Sequence, residues 1–313
     1  MQEQRFETAL SKGRVIVLDG GLATELEARG FDIGGKLWSA ELLQSNPQAI
    51  SDTHRSYLDA GAQCIISASY QASRSGFMSL GVSAGNADDL IVSAVKLARV
   101  ARQQHLDENP QIDPIPMIAA SIGPYGATLH DGSEYTGNYS IGSDELRQFH
   151  EQRLRLLDRA GADVLACETI PDLTEATVLC ELLKFARSPA WISFSCRDGK
   201  HISDGTALEQ VAHLFRDHPR VLAVGINCSG PQHIVSLIRE VRKGAPDKSI
   251  VVYPNSGETF NAASNTWSGT VTPLDCAAAA RSWRDAGASL IGGCRRMGPH
   301  HIAAMARALT RRA

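Results

Sequence analysis

At 313 residues, with 43% hydrophobic and 21% charged side chains, the chain can bury one large α/β core or two smaller ones. A net charge of -3 gives no strong electrostatic pull toward nucleic acid or an anionic membrane. The opening Met1-Gln2-Glu3-Gln4-Arg5 lacks the pattern of a signal peptide, and no apolar run is long enough to span a bilayer. Seven cysteines without framework spacing fit reduced thiols in a cytoplasmic setting.

Short apolar runs rich in β-branched residues recur along the chain. They fall at Val15–Asp19, Cys64–Ala68, Met117–Ser121, Val164–Cys167, Trp191–Ser195, Leu222–Asn227, Ile250–Pro254 and Ser289–Gly293. Continuous apolar character without alternation predicts strands buried on both faces of a parallel sheet. Amphipathic stretches lie between them, the clearest from Glu145 to Arg159, with Leu146, Phe149, Leu156 and Leu157 near helical spacing. Three joints share one wording, Asp59-Ala60-Gly61-Ala62, Arg159-Ala160-Gly161-Ala162 and Asp285-Ala286-Gly287-Ala288. Each places a C-capping glycine just before a predicted strand. Eight strands alternating with helices over about 250–300 residues predict a single (β/α)8 TIM barrel. A doubly wound open sheet is the rival, but no Gly-x-Gly-x-x-Gly turn follows the first strand, and no P-loop is present.

In such a barrel the active site lies at the C-terminal strand ends. Those ends read Asp19-Gly20-Gly21, Ser67-Ala68-Ser69-Tyr70, Ser121-Ile122-Gly123, Cys167-Glu168-Thr169, Ser193-Phe194-Ser195, Asn227-Cys228, Asn255-Ser256-Gly257 and Gly293-Cys294-Arg295. Each has a plain structural alternative. Asp19-Gly20 also suits a turn, Glu168 also suits a structural ion pair, and Cys64, Cys180 and Cys276 fall within element bodies. Cys228 and Cys294 lack the spacing of a zinc motif, so by themselves they read either as two buried thiols or as part of a soft-metal site.

The chain resembles the homocysteine S-methyltransferase family, and particularly its compact bacterial members that use S-methylmethionine. The resemblance runs from Val15 to the C-terminus. It is carried by Leu18-Asp19-Gly20-Gly21-Leu22-Ala23-Thr24-Glu25-Leu26, Leu37-Trp38-Ser39-Ala40, Ala68-Ser69-Tyr70-Gln71-Ala72 and Gly123-Pro124-Tyr125-Gly126-Ala127. Further on it is carried by Asp131-Gly132-Ser133-Glu134-Tyr135, Cys167-Glu168-Thr169, Ser203-Asp204-Gly205-Thr206 and Gly225-Ile226-Asn227-Cys228. Val252-Tyr253-Pro254-Asn255-Ser256-Gly257-Glu258 and Ile291-Gly292-Gly293-Cys294 complete the set. The resemblance implies one homocysteine-binding (β/α)8 barrel over residues 1–313. Its implied chemistry is methyl transfer from a sulfonium donor, S-methylmethionine or S-adenosylmethionine, to the thiol of L-homocysteine, giving methionine. Partners would be these small molecules, with no nucleic acid and no membrane.

The same resemblance implies Zn²⁺ held by three cysteines, with Cys228 and Cys294 as two of these ligands and as the catalytic centre. It assigns Asp19 and Glu168 to the homocysteine ammonium group, Asn227 to the substrate pocket, and Trp38 and Tyr70 to the donor sulfonium. The segment Gly123 to Tyr139 reads as a lid or as a static surface loop. The chain departs from the family pattern at Arg295, where a third cysteine is expected and a guanidinium cannot ligate a metal. Three expectations follow: zinc bound weakly with homocysteine completing the site, Arg295 replacing the metal, or an amino-acid-binding barrel with lost or redirected activity. A Schiff-base lyase is the rival from another class, but no predicted strand ends in lysine.

Overall fold

Each of the eight apolar runs becomes a strand of one parallel sheet in the computed structural model. The structure describes residues 3–310 apart from 36, 130, 138, 258, 262–265 and 269–271. The side chains of 3–5, 38, 259–261 and 266–268 also fall outside the described set. In chain order the strands are β1 (Ile16–Val17), β2 (Cys64–Ile66), β3 (Met117–Ile122), β4 (Val164–Ile170), β5 (Ala190–Phe194), β6 (Val221–Asn227) and β7 (Ser249–Tyr253). They continue with β8 (Thr259–Asn261), β9 (Thr266–Ser268) and β10 (Leu290–Ile291). The sheet order is β1-β10-β7-β6-β5-β4-β3-β2, all neighbours parallel. The bridge between Leu18 and Cys64 joins β1 to β2 and completes the ring. The architecture is therefore the expected (β/α)8 barrel. β8 and β9, which the sequence reading did not anticipate, form a separate antiparallel hairpin after β7.

Burial on both faces divides the apolar side chains into two cores. Phe6, Leu18, Met117, Val164, Ala166, Trp191, Val251 and Leu290 fill the barrel interior, and a larger set lies between the sheet and the helices. Phe6 comes from the N-terminal helix Glu3–Ser11, and its ring lies 6.0 Å from that of Trp191 inside the barrel. Among the described residues no helix is long and apolar enough to cross a membrane.

The helices start and stop where local chemistry dictates. The helix Pro47–Asp59 has Pro47 in its first turn, and the Asn46 side chain accepts from the Ala49 N–H at 3.3 Å. It ends at Gly61, with φ 97°, and the chain enters β2 three residues later. Gly161 (φ 88°) and Gly287 (φ 112°) close the other two joints in the same left-handed conformation, which glycine adopts without steric cost. The expected helix from Glu145 to Arg159 is present as Ser143–Leu157.

Candidate active site

A cavity of about 150 Å³ opens at the C-terminal ends of the strands. Its wall includes Gly20, Gly21, Tyr70, Glu168, Thr169, Asn227, Cys228, Cys294 and Arg295, gathered from five strand ends. Sequence positions up to 275 apart therefore meet in one place, as the barrel reading requires.

The loop after β1 is pinned against the loop after β10. The Gly21 N–H donates to the Met297 carbonyl at 3.1 Å, and the Tyr57 hydroxyl donates to the same carbonyl at 3.1 Å. A Cβ on Gly20 would sit 1.9 Å from the Met297 oxygen, so only glycine allows this approach. The contact fixes Asp19, which is 1% exposed just beneath the cavity wall. Its Oδ2 accepts from the Ile66 N–H at 2.8 Å, while Oδ1 is buried with no partner among the described residues. Burial pushes the Asp19 carboxyl well above the usual range, and the nearby Glu168 charge adds to that rise.

Glu168 faces the cavity from β4. The β4–β5 register shifts between Cys167 and Ile170, and Thr169 takes φ 62°, an outlier for a β-branched residue. The irregularity is tied down by Asn227 of β6. Its Oδ1 accepts from the Thr169 N–H at 2.7 Å and from the Ser193 hydroxyl at 2.9 Å, and its Nδ2 donates to the Thr169 hydroxyl at 2.6 Å. The Ser121 hydroxyl donates to Glu168 Oε1. Burial raises the Glu168 pKa to about 7, against lowering contributions from Ser121, Tyr253 and the Arg153 guanidinium. Asn227 lines the cavity as expected, with its amide already engaged in holding Thr169.

Next to Asn227, Cys228 takes φ 45°, and its N–H donates to the Tyr253 carbonyl at 3.1 Å. Cys228 and Cys294 are joined in a disulfide with Cα atoms 5.6 Å apart, where the sequence reading expected free thiols. The other five cysteines are free. Arg295 follows directly and lines the same wall. Once reduced, the pair supplies two sulfur donors to a metal. Among the described residues no group of three or more His, Cys, Asp or Glu is arranged to hold one. A guanidinium has no lone pair to give, and its charge repels a cation. The chain's own donors thus fall one short of the three protein ligands of a catalytic zinc, and do not fit the site that the resemblance implied.

Tyr70 lines the cavity after β2, packed beside Gly123. The backbone of Trp38 lies in the 3-10 turn Trp38–Glu41, but its side chain falls outside the described set. Sequence reasoning missed Glu134 and Tyr135, which reach the cavity wall from a short 3-10 turn, Ser133–Tyr135. That turn belongs to the segment between β3 and the helix Ser143–Leu157. One buried carboxylate holds both ends of the segment. Glu175 Oε1 accepts from the Tyr125 N–H at 2.6 Å, and Oε2 accepts from the Tyr139 hydroxyl at 3.0 Å. His150 Nε2 meets the same Oε1 at 2.7 Å, and Glu175 and His150 are both fully buried. The segment is thus a strap held through Tyr125 and Tyr139 by Glu175.

The comparisons bear on this geometry. The family pattern described as Homocysteine S-methyltransferase matches residues 16–309. A homocysteine S-methyltransferase of Bacillus subtilis, YbgG, is 50% identical over 301 residues, covering 94% of this chain and 95% of that one. The homocysteine methyltransferase MmuM of Escherichia coli, in its metallated form, superposes with a TM-score of 0.85 at 43% identity. The match covers 95% of this chain and 97% of MmuM. The oxidized form of the same protein gives 0.84 at 43% identity, covering 93% and 94%. With the barrel, the ordered motifs and this near-complete coverage in agreement, the chain belongs to the homocysteine S-methyltransferase family of enzymes.

Proposed function

We propose that this enzyme moves a methyl group from S-methylmethionine to the thiol of L-homocysteine, giving methionine. The observation that carries the reading is one small cavity lined by Glu168, Cys228 and Cys294, with the Asp19 carboxyl buried just beneath its wall. An amino acid bearing a thiol on its side chain matches that chemistry. Its ammonium group would replace water at Glu168 and Asp19, and its sulfur would extend toward the cysteines. S-methylmethionine and S-adenosylmethionine both present a methyl sulfonium, and the competition assay below decides between them. Tyr70 offers an aromatic face to the sulfonium, and Trp38 takes the same role in this reading.

The reaction is a direct displacement. A lone pair on the homocysteine sulfur forms a bond to the methyl carbon while the bond from that carbon to the sulfonium sulfur breaks. The leaving group departs as a neutral thioether, and the thiol proton goes to solvent. No oxyanion develops, so the protein acts by alignment, by excluding water and by favouring the thiolate. Asp19 and Glu168 orient the nucleophile through its ammonium group. Asn227 holds Thr169 and so fixes the adjacent Glu168. Zinc on Cys228 and Cys294 alone would have two protein ligands, so no step is routed through a metal.

Both cysteines must be reduced for the sulfurs to act, which favours a cytoplasmic setting. The direct test is methionine formation from L-homocysteine and S-methylmethionine in the presence of a thiol reductant, with and without added zinc. S-adenosylmethionine serves as the competing donor. Turnover supports the reading, and its response to zinc decides the metal. Arg295 in the pocket wall favours a second reading, an amino-acid-binding barrel with lost or redirected activity. Homocysteine binding without turnover under either condition selects that second reading.

A further inference from the structure

The cavity holds a carboxylate that the displacement above does not use. The Glu134 side chain is 8% exposed and lies in the same wall as Glu168, Cys228 and Arg295. Its Oε2 is buried with no hydrogen-bond partner among the described residues. A buried carboxylate oxygen without a donor is unfavourable unless a ligand supplies one. Burial raises the Glu134 pKa, and the Arg295 guanidinium acts through space to lower it. The position of Glu134 is fixed from behind. Its carbonyl accepts from the Ser195 hydroxyl at 3.1 Å, and Glu175 anchors the strap at Tyr125 and Tyr139.

Homocysteine carries one ammonium group, and Asp19 and Glu168 account for it. The other cation in the reaction is the donor. An amino-acid sulfonium adds a second ammonium and a second carboxylate to the same cavity. Besides Glu168, the wall carries a second carboxylate, Glu134, and the guanidinium of Arg295. We propose that Glu134 is the donor-recognition residue, pairing with the ammonium group of an amino-acid sulfonium whose carboxylate faces Arg295. The identity of the donor rests on the methyl-transfer reading, whereas the affinity of this wall for such a cation does not require turnover.

The test is calorimetric titration of S-methylmethionine, and separately of L-homocysteine, into the reduced wild-type protein, Glu134→Gln and Glu134→Asp. Steady-state KM values for both substrates accompany the titrations. Glutamine keeps the shape and removes the charge, so the fold is expected to be retained, and a thermal melt checks this. Glu134→Gln is expected to weaken S-methylmethionine binding about tenfold or more, with homocysteine changed less than about threefold and Glu134→Asp recovering part of the loss. Equal S-methylmethionine affinity in wild type and Glu134→Gln overturns the assignment. So does equal weakening of both ligands, or a wild type that does not bind S-methylmethionine. Glu134-dependent binding without methionine formation sinks the proposed reaction and leaves the assignment standing. Turnover with an unchanged donor KM in Glu134→Gln does the reverse.

Discussion

The carboxylates and the sulfurs of the site are held differently. Asp19 and Glu168 are both buried, Asp19 takes the Ile66 N–H, and Glu168 takes the Ser121 hydroxyl while Asn227 fixes its neighbour. Cys228 and Cys294 are partly exposed, joined to each other and flanked by Arg295. Among the described residues the Asp19 Oδ1 has no hydrogen-bond partner. The sulfur pair can exist in more than one covalent state. In the proposed reaction the carboxylates serve amino-acid recognition, and the sulfurs with Arg295 are where this chain departs from the three-cysteine pattern that the resemblance implied.

The largest effect is expected at the carboxylates. Glu168→Gln removes the charge proposed to meet the ammonium group. It should lower kcat/KM for homocysteine at least about 100-fold, which corresponds to roughly 3 kcal/mol of lost interaction with a desolvated charge. Asp19→Asn should act in the same direction. Steady-state kinetics at saturating donor measures both. A loss below about threefold in each variant would mean that the ammonium group binds elsewhere and that the carboxylates serve the fold.

At the sulfurs the informative change adds a ligand. Arg295→Cys supplies a third sulfur beside Cys294, and it should raise bound zinc toward one per chain, measured by elemental analysis of the reduced protein. Methionine formation should rise about tenfold or more with it. A variant that gains neither zinc nor activity would show that this part of the cavity is no longer shaped for a metal.

The barrel was legible because strands buried on both faces read as unbroken apolar runs, and all eight predicted runs overlap observed strands. Asp19, Glu168, Cys228 and Cys294 were legible for a related reason, since strand ends in a barrel converge. Glu134 was not. It sits on a 3-10 turn, and only the anchoring of the strap through Glu175 brings it to the cavity. Nothing in the pattern of the helix Leu173–Leu183 marks Glu175 as that anchor, because its role depends on groups 25 to 50 residues away. The role of Asn227 was half legible: its place at a strand end pointed to the pocket, but its three hydrogen bonds into β4 and β5 depend on the irregularity at Thr169. The pairing of Cys228 with Cys294 was equally hidden, since 66 residues separate them and no local spacing encodes the contact.

Titration offers a smaller and reversible way to perturb the carboxylates. Glu168 holds its proton to about pH 7, above the usual 4.5, because burial disfavours the charged form. Between those values the unfolded chain has lost this proton and the folded chain keeps it. The Glu168 contribution to stability is therefore full below about pH 4.5 and falls as pH rises through about 7. Binding runs the other way, because an ammonium ligand prefers the ionised carboxylate. Homocysteine affinity should rise about tenfold per pH unit below 7 and level off above it, and the ligand-induced shift in melting temperature should grow over the same range. The Glu168→Gln variant should lose that part of the pH response while keeping any that arises from Asp19 or from the thiol.

The smallest effect tests the strap. Tyr139→Phe removes the hydroxyl that donates to Glu175 Oε2 and leaves the ring, which packs 5.6 Å from Tyr125. One hydrogen bond to a buried carboxylate is worth about 1.5–3 kcal/mol, and the bonds from the Tyr125 N–H and His150 still satisfy Oε1. A melting temperature lower by a few degrees is expected, with homocysteine binding unchanged and the donor KM raised about two- to fivefold. Glu134 reaches the cavity from the strap, whereas Asp19 and Glu168 stand on the barrel itself. Loosening the strap therefore separates donor from nucleophile recognition without touching those carboxylates or the sulfurs. A homocysteine KM that rises in parallel would mean that the strap supports the whole cavity rather than its donor side.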